Sequence, residues 1–81
     1  MTIDEWTANL TMGREIEFKF RDEAFLISYI PDSVPTQYYI WHDTQKREVC
    51  RGDLNCILDF EFEKFISLRK EAALFFVDYF L

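Results

Sequence analysis

Hydrophobic and polar residues alternate almost strictly between Arg14 and Phe20, with Ile16, Phe18 and Phe20 on one face and Glu15, Glu17 and Lys19 on the other. A period of two marks a half-buried strand, because successive side chains point to opposite faces. Arg21, Asp22 and Glu23 then place three charges in a row and predict a turn. The Asn-Gly or Asp-Gly pair that would fix a hairpin register is missing. The return segment, Ala24 to Ile30, is apolar on both faces: Phe25, Ile27 and Tyr29 on one, Leu26 and Ile30 on the other. Such a strand is expected at the centre of a sheet, covered by helices on one side and partly by long side chains on the other.

The remaining segments pack around that hairpin. Thr2 followed by Glu5 matches a capping box, and Ile3, Trp6 and Leu10 continue it at helical spacing until Gly13 stops it. Residues 31–36 contain both prolines and read as a loop. Gln37 to His42 is a third strand, with Tyr38, Ile40 and His42 on one face and Tyr39 and Trp41 on the other. Asp43 to Gln45 suits a turn, and Lys46 to Arg51 a short charged edge strand anchored by Val49. Asp53 is placed to cap a helix whose apolar stripe is Leu54, Ile57 and Leu58. Phe60 and Phe62 break that stripe. Ser67 is placed to cap a second helix, in which Leu68, Ala72, Phe75, Phe76 and Tyr79 recur at spacings of three and four. The closing run LFFVDYFL fits either a continuation of that helix or a last strand. The predicted architecture is α+β in a single domain, 1–81. It has a small antiparallel sheet of three to four strands within residues 13–51, an N-terminal helix and one or two C-terminal helices.

Composition narrows the partners. Eighty-one residues support one core, and nine phenylalanines supply much of it. A net charge of −6 disfavours direct binding to nucleic acid or to an anionic membrane, and suits a basic protein surface. Asp4 and Glu5 stand where a signal peptide would need basic and apolar residues. No apolar run reaches the roughly 20 residues of a membrane span. Two cysteines, Cys50 and Cys56, are too few for a disulfide framework. A cytoplasmic protein with reduced thiols is expected.

The inventory of chemically capable residues is thin. His42 is the only histidine, which removes most triad and acid–base schemes, and it is expected as a partly exposed residue at a strand end. Cys50, Cys56 and His42 do not follow a zinc-ligand spacing, and Cys56 is expected to be buried as a small apolar residue. Phosphate-binding loops, H-E-x-x-H and nucleophile elbows are missing. No enzyme, metal or cofactor is therefore expected. Asp53, Asp59, Glu61 and Glu63 lie within eleven residues and suit a solvated acidic face. Tyr38, Tyr39 and Trp41 exceed what one small sheet face needs, and Tyr and Trp are enriched at interfaces.

The stretch TANLTMGREIEFKFRDEAFLISYI, with the aromatic strand ending in WHD, resembles small acidic proteins of Gram-positive bacteria and their phages. Those share a short N-terminal helix, a G-R-E-I-E-F hairpin and a Trp-containing third strand. That family has no settled activity, so the resemblance implies a fold and a mobile-element context and carries over no catalytic residue. Together these features predict a non-enzymatic inhibitor of a nucleic-acid-handling defence protein, anti-CRISPR-like, whose carboxylates stand in for phosphates. The partner-binding residues expected are Glu15, Glu17, Asp22, Glu23, Tyr38, Trp41, Asp53, Asp59, Glu61 and Glu63. The alternative is an adaptor, or a homodimer or larger homo-oligomer, that buries Phe75, Phe76, Tyr79 and Phe80 against a partner.

Overall fold

The computed structural model describes all 81 residues. A five-stranded antiparallel sheet carries three short helices on one face. The strands are β1 (Ile16–Phe20), β2 (Glu23–Ile30), β3 (Gln37–His42), β4 (Arg47–Gly52) and β5 (Phe76–Phe80), in the spatial order β4-β3-β2-β1-β5. The helices are α1 (Ile3–Thr11), α2 (Leu54–Asp59) and α3 (Leu68–Glu71), the last followed by a 3-10 turn over Ala72–Leu74.

The hairpin forms as its alternation predicts, and β2 is the central strand. Ile16 lies opposite Ile27 and Phe18 opposite Phe25, so the apolar residues of both strands share a face. Register is set by a two-residue turn in which Arg21 (φ 52°) and Asp22 (φ 62°) both take left-handed backbone. That geometry matches the strand twist even without glycine. Strand β2 consequently starts at Glu23, one residue before the predicted return.

Helix α1 opens on the predicted capping box. Thr2 Oγ1 accepts from the Glu5 N–H at 3.2 Å, and the Thr2 N–H donates to Glu5 Oε1 at 3.0 Å. Trp6 and Leu10 are buried, and Gly13 ends the helix at φ +83°, a conformation that favours glycine. Asp53 caps α2 by accepting from the Cys56 N–H at 2.9 Å, and Ser67 caps α3 by accepting from the Lys70 N–H at 3.2 Å. At Gly52 an added Cβ would lie 2.6 Å from Cys56 Cβ, so glycine is what lets α2 start against the end of β4.

The C-terminal segment corrects the prediction of a three- to four-stranded sheet and decides between the two readings left open for the closing run. Helix α3 spans only four residues, and the closing run forms β5 beside β1. Periodicity in residues 68–79 fits a helix, but β1 would otherwise end the sheet with its backbone groups unpaired. Pairing with β5 satisfies them, a gain that local spacing does not encode.

The core lies between the sheet and the helices. Trp6, Leu10, Ile16, Phe18, Phe25, Ile27, Ile40, Ile57, Leu58, Leu68 and Phe75 are among its buried members. Phe18 is its centre, with ring centroids 5.2 Å from Trp6, 5.5 Å from Phe25, 5.8 Å from Phe62 and 5.9 Å from Phe75. Phe60 and Phe62, which break the α2 stripe, turn toward this cluster as partly buried residues on an extended segment.

Candidate interaction surface

The second face of the sheet has no helix over it. Pairing sets Trp41 opposite Leu26, and Leu26 opposite Glu17, which lies opposite Tyr79 on β5. The adjacent rows bring in Tyr39 with Ser28 and Arg51, and Lys19 with Ala24 and Phe76. Leu26, Tyr39 and Trp41 are half-buried by their neighbours alone, and none packs against the core cluster. Phe76 and Tyr79 are exposed at 74% and 55%. Of the nine large hydrophobic side chains that stand exposed, six (Phe65, Leu74, Phe76, Tyr79, Phe80 and Leu81) come from the last seventeen residues. The exposed apolar surface is therefore concentrated around β5.

Strand β5 carries a bulge here. Glu17 lies opposite Tyr79 but Phe18 lies opposite Val77, which leaves Asp78 as an extra residue. A bulge re-aims a side chain. In this case Asp78 reaches the uncovered face, where it lines a recess of about 270 Å³ together with Glu17, Ala24, Leu26, Trp41 and Asp43. Glu17 and Asp78 take part in no ion pair, whereas Asp43 holds Lys46 Nζ at 2.9 Å. Nowhere in the molecule do three metal-ligating side chains converge.

The ten residues predicted for partner binding separate into three groups. Glu15, Glu17 and Trp41 lie on the uncovered face, and Asp22 is exposed at the tip of the β1–β2 turn without an ion pair. Five more carboxylates have internal partners. Asp53 is the α2 cap, Asp59 lies 2.6 Å from Arg69 Nε, and Glu61 accepts the Phe65 N–H at 3.0 Å. Glu63 reaches Arg21 at 3.2 Å, and Glu23 holds His42 Nε2 at 3.0 Å. The carboxylates predicted as one acidic face thus include a helix cap and side chains that tie loops together. Tyr38 belongs to neither group. It is in the core, its hydroxyl donates to the Leu10 carbonyl at 3.3 Å, and burial pushes its phenol up. Asp78, which no sequence pattern singled out, joins the surface through the bulge.

Three further expectations are corrected. His42 is buried, at 3% exposure, under the β3–β4 turn. Its Nδ1 accepts from the Gln45 N–H at 3.3 Å, so Nε2 carries the proton and donates to Glu23. This pairing holds the turn in place. Cys56 is exposed instead of buried, because it sits on the first turn of α2 over Gly52 and faces away from the stripe of Ile57 and Leu58. Cys50 is the more enclosed of the two, and burial raises its thiol above the usual range. Finally, Phe75 is in the core, stacked 4.7 Å from Phe20, while Phe76, Tyr79 and Phe80 stay at the surface. The strand splits the four predicted aromatic anchors.

No helix is long and apolar enough to cross a membrane. Comparison with protein-family models, with curated proteins and with solved structures returns no match.

Proposed function

We propose that the chain is a non-enzymatic acidic interaction protein that docks on a basic protein surface through the uncovered face of its sheet. The observation that carries this reading is the combination on that face of half-buried aromatic residues with carboxylates that have no internal cation. Aromatic side chains at a surface favour association once water is excluded from them. Unpaired carboxylates beside them select a basic partner and speed its capture. The partner class that fits best is a nucleic-acid-handling protein of host defence, whose basic groove would take Glu15, Glu17 and Asp22 in place of phosphates. This agrees with the mobile-element context that the hairpin resemblance implies.

The test is capture by the immobilised protein from a Gram-positive lysate, with and without nuclease and at two salt concentrations. A nucleic-acid enzyme is expected, lost at high salt, displaced by added DNA and not retained by the Glu15→Lys/Glu17→Lys variant. A partner that resists salt and ignores both DNA and charge reversal would overturn the reading.

A second reading draws on β5. Its side chains Phe76, Tyr79 and Phe80, with Leu81 just beyond it, are exposed at an edge strand, the arrangement that favours an adaptor surface or pairing with another copy. Sedimentation velocity over a hundredfold concentration range decides whether the chain self-associates. A concentration-independent monomer removes the self-pairing version.

A further inference from the structure

We infer that the uncovered sheet face seats a basic segment of the partner protein, with one arginine side chain of that segment in the recess between Glu17, Asp78 and Trp41. This rests on the basic-partner reading above and specifies the residue chemistry that the face recognises.

Charge selects the occupant. The face carries Glu15, Glu17, Asp43, Glu48 and Asp78 against three cations, Lys19, Arg51 and the Lys46 that Asp43 holds. Arg51 is already held by Glu48, and Lys19 does not line the recess. A second copy laid face to face would oppose like charges, and a nucleic acid would be repelled outright. A basic segment complements both the carboxylates and the apolar rim.

The recess then selects arginine. Its floor and wall are apolar, from Ala24, Leu26 and Trp41, and its polar lining is the carboxylates of Glu17, Asp43 and Asp78. These acids do not converge closely enough to share a metal ion. A guanidinium is planar and weakly hydrated. It can stack on an indole while its separate N–H groups reach two carboxylates, which a compact ammonium does less well. The bulge that turns Asp78 onto this face supplies the second unpaired carboxylate beside Glu17. Tyr79 and Phe76 flank the site and can exclude water from it.

The experiment uses three capped pentapeptides, Leu-Arg-Leu-Arg-Leu, its lysine counterpart and its citrulline counterpart, titrated into the isotopically labelled protein. The arginine peptide is expected to shift the amide resonances of Glu17, Leu26 and Asp78 and the indole resonance of Trp41. Replacing arginine by neutral citrulline should abolish those shifts, and lysine should bind several-fold more weakly. Glu17→Gln/Asp78→Asn and Trp41→Phe should each weaken the arginine peptide, the former by about tenfold, as expected for lost charge-assisted hydrogen bonds. Unfolding curves establish that each variant is folded. Equal binding of citrulline and arginine peptides, or shifts centred on Asp59 and Glu63, would overturn the inference. Arginine-dependent binding on this face, with no nucleic-acid enzyme captured from the lysate, keeps this inference and removes the defence-inhibitor reading. A captured nucleic-acid enzyme released by Glu15→Lys/Glu17→Lys but indifferent to Asp78→Asn and Trp41→Phe does the reverse.

Discussion

One sheet presents two faces built from the same strands, and they have opposite fates. On the helical face, Ile16, Phe18, Phe25, Ile27 and Ile40 disappear beneath α1, α2 and α3. On the other face, Leu26, Tyr39 and Trp41 are large and apolar yet have only their cross-strand neighbours for cover. The carboxylates show a related contrast, sharpest for Glu17 and Asp78. On the helical side Asp53, Asp59 and Glu23 cap a helix, hold an arginine and hold a histidine. On the uncovered side Asp43 and Glu48 hold Lys46 and Arg51, but Glu17 and Asp78 hold nothing. Burial with satisfied partners favours the folded state, whereas half-buried aromatic residues beside solvated carboxylates that lack an ion pair leave apolar area to be buried and charge to be matched on association.

The sharpest way to break that contrast is to truncate one aromatic on each face. Phe18→Ala removes the ring at the core's centre and should cost about 3–5 kcal/mol, read from urea unfolding. Trp41→Ala should cost only about 1 kcal/mol, since its contacts are those of a cross-strand pair. Equal losses would mean that the second face is already a closed core. Two adjacent tyrosines give a finer version. Tyr38→Phe deletes the buried hydrogen bond to Leu10 and should cost about 1 kcal/mol, lowering Tm by roughly 4–8 °C. Tyr39→Phe should leave Tm unchanged. A drop for Tyr39 as large as that for Tyr38 would contradict the assignment of faces.

Carboxylates can be compared through pH. The Cys56 N–H holds Asp53 below the usual carboxylate range. A group whose folded value is depressed contributes stability that is present above its unfolded value and lost as pH falls through the folded one. Asp53→Asn keeps a capping oxygen but loses that titration, so its acid unfolding should be shallower than that of the parent chain. An unchanged acid limb would remove Asp53 from the stabilising set. The smallest effect belongs to Glu17→Gln and Asp78→Asn, each expected within about 0.5 kcal/mol of the parent in stability. A large destabilisation by either would place it among the structural carboxylates and end the comparison.

Much of the local structure was legible in the sequence because the signals that specify it are local. Thr2 with Glu5, Asp53 and Ser67 mark helix starts by satisfying backbone N–H groups three residues on, and all three do so. Alternation in residues 14–20 and 37–42 identified both faces of β1 and β3, including the split between Tyr38 and Tyr39. The candidate surface was only half legible. Glu15, Glu17 and Trp41 could be placed on the far side of their strands from the core, but the engagement of Glu23, Asp59 and Glu63 could not be seen. Their partners His42, Arg69 and Arg21 lie 19, 10 and 42 residues away. Asp78 carried no signal at all, since a bulge is a property of two strands in register.

What the sequence by itself determined is the set of elements through residue 58, the chain's acidity and the face on which the residues of β1, β2 and β3 fall. Periodicity, caps and charge belong to neighbouring residues. Tertiary structure decided that residues 76–80 pair with β1 instead of extending a helix, because only the assembled sheet offers backbone groups that need a partner. It also decided which carboxylates remain free, since a charge is spent or available according to what folding brings beside it.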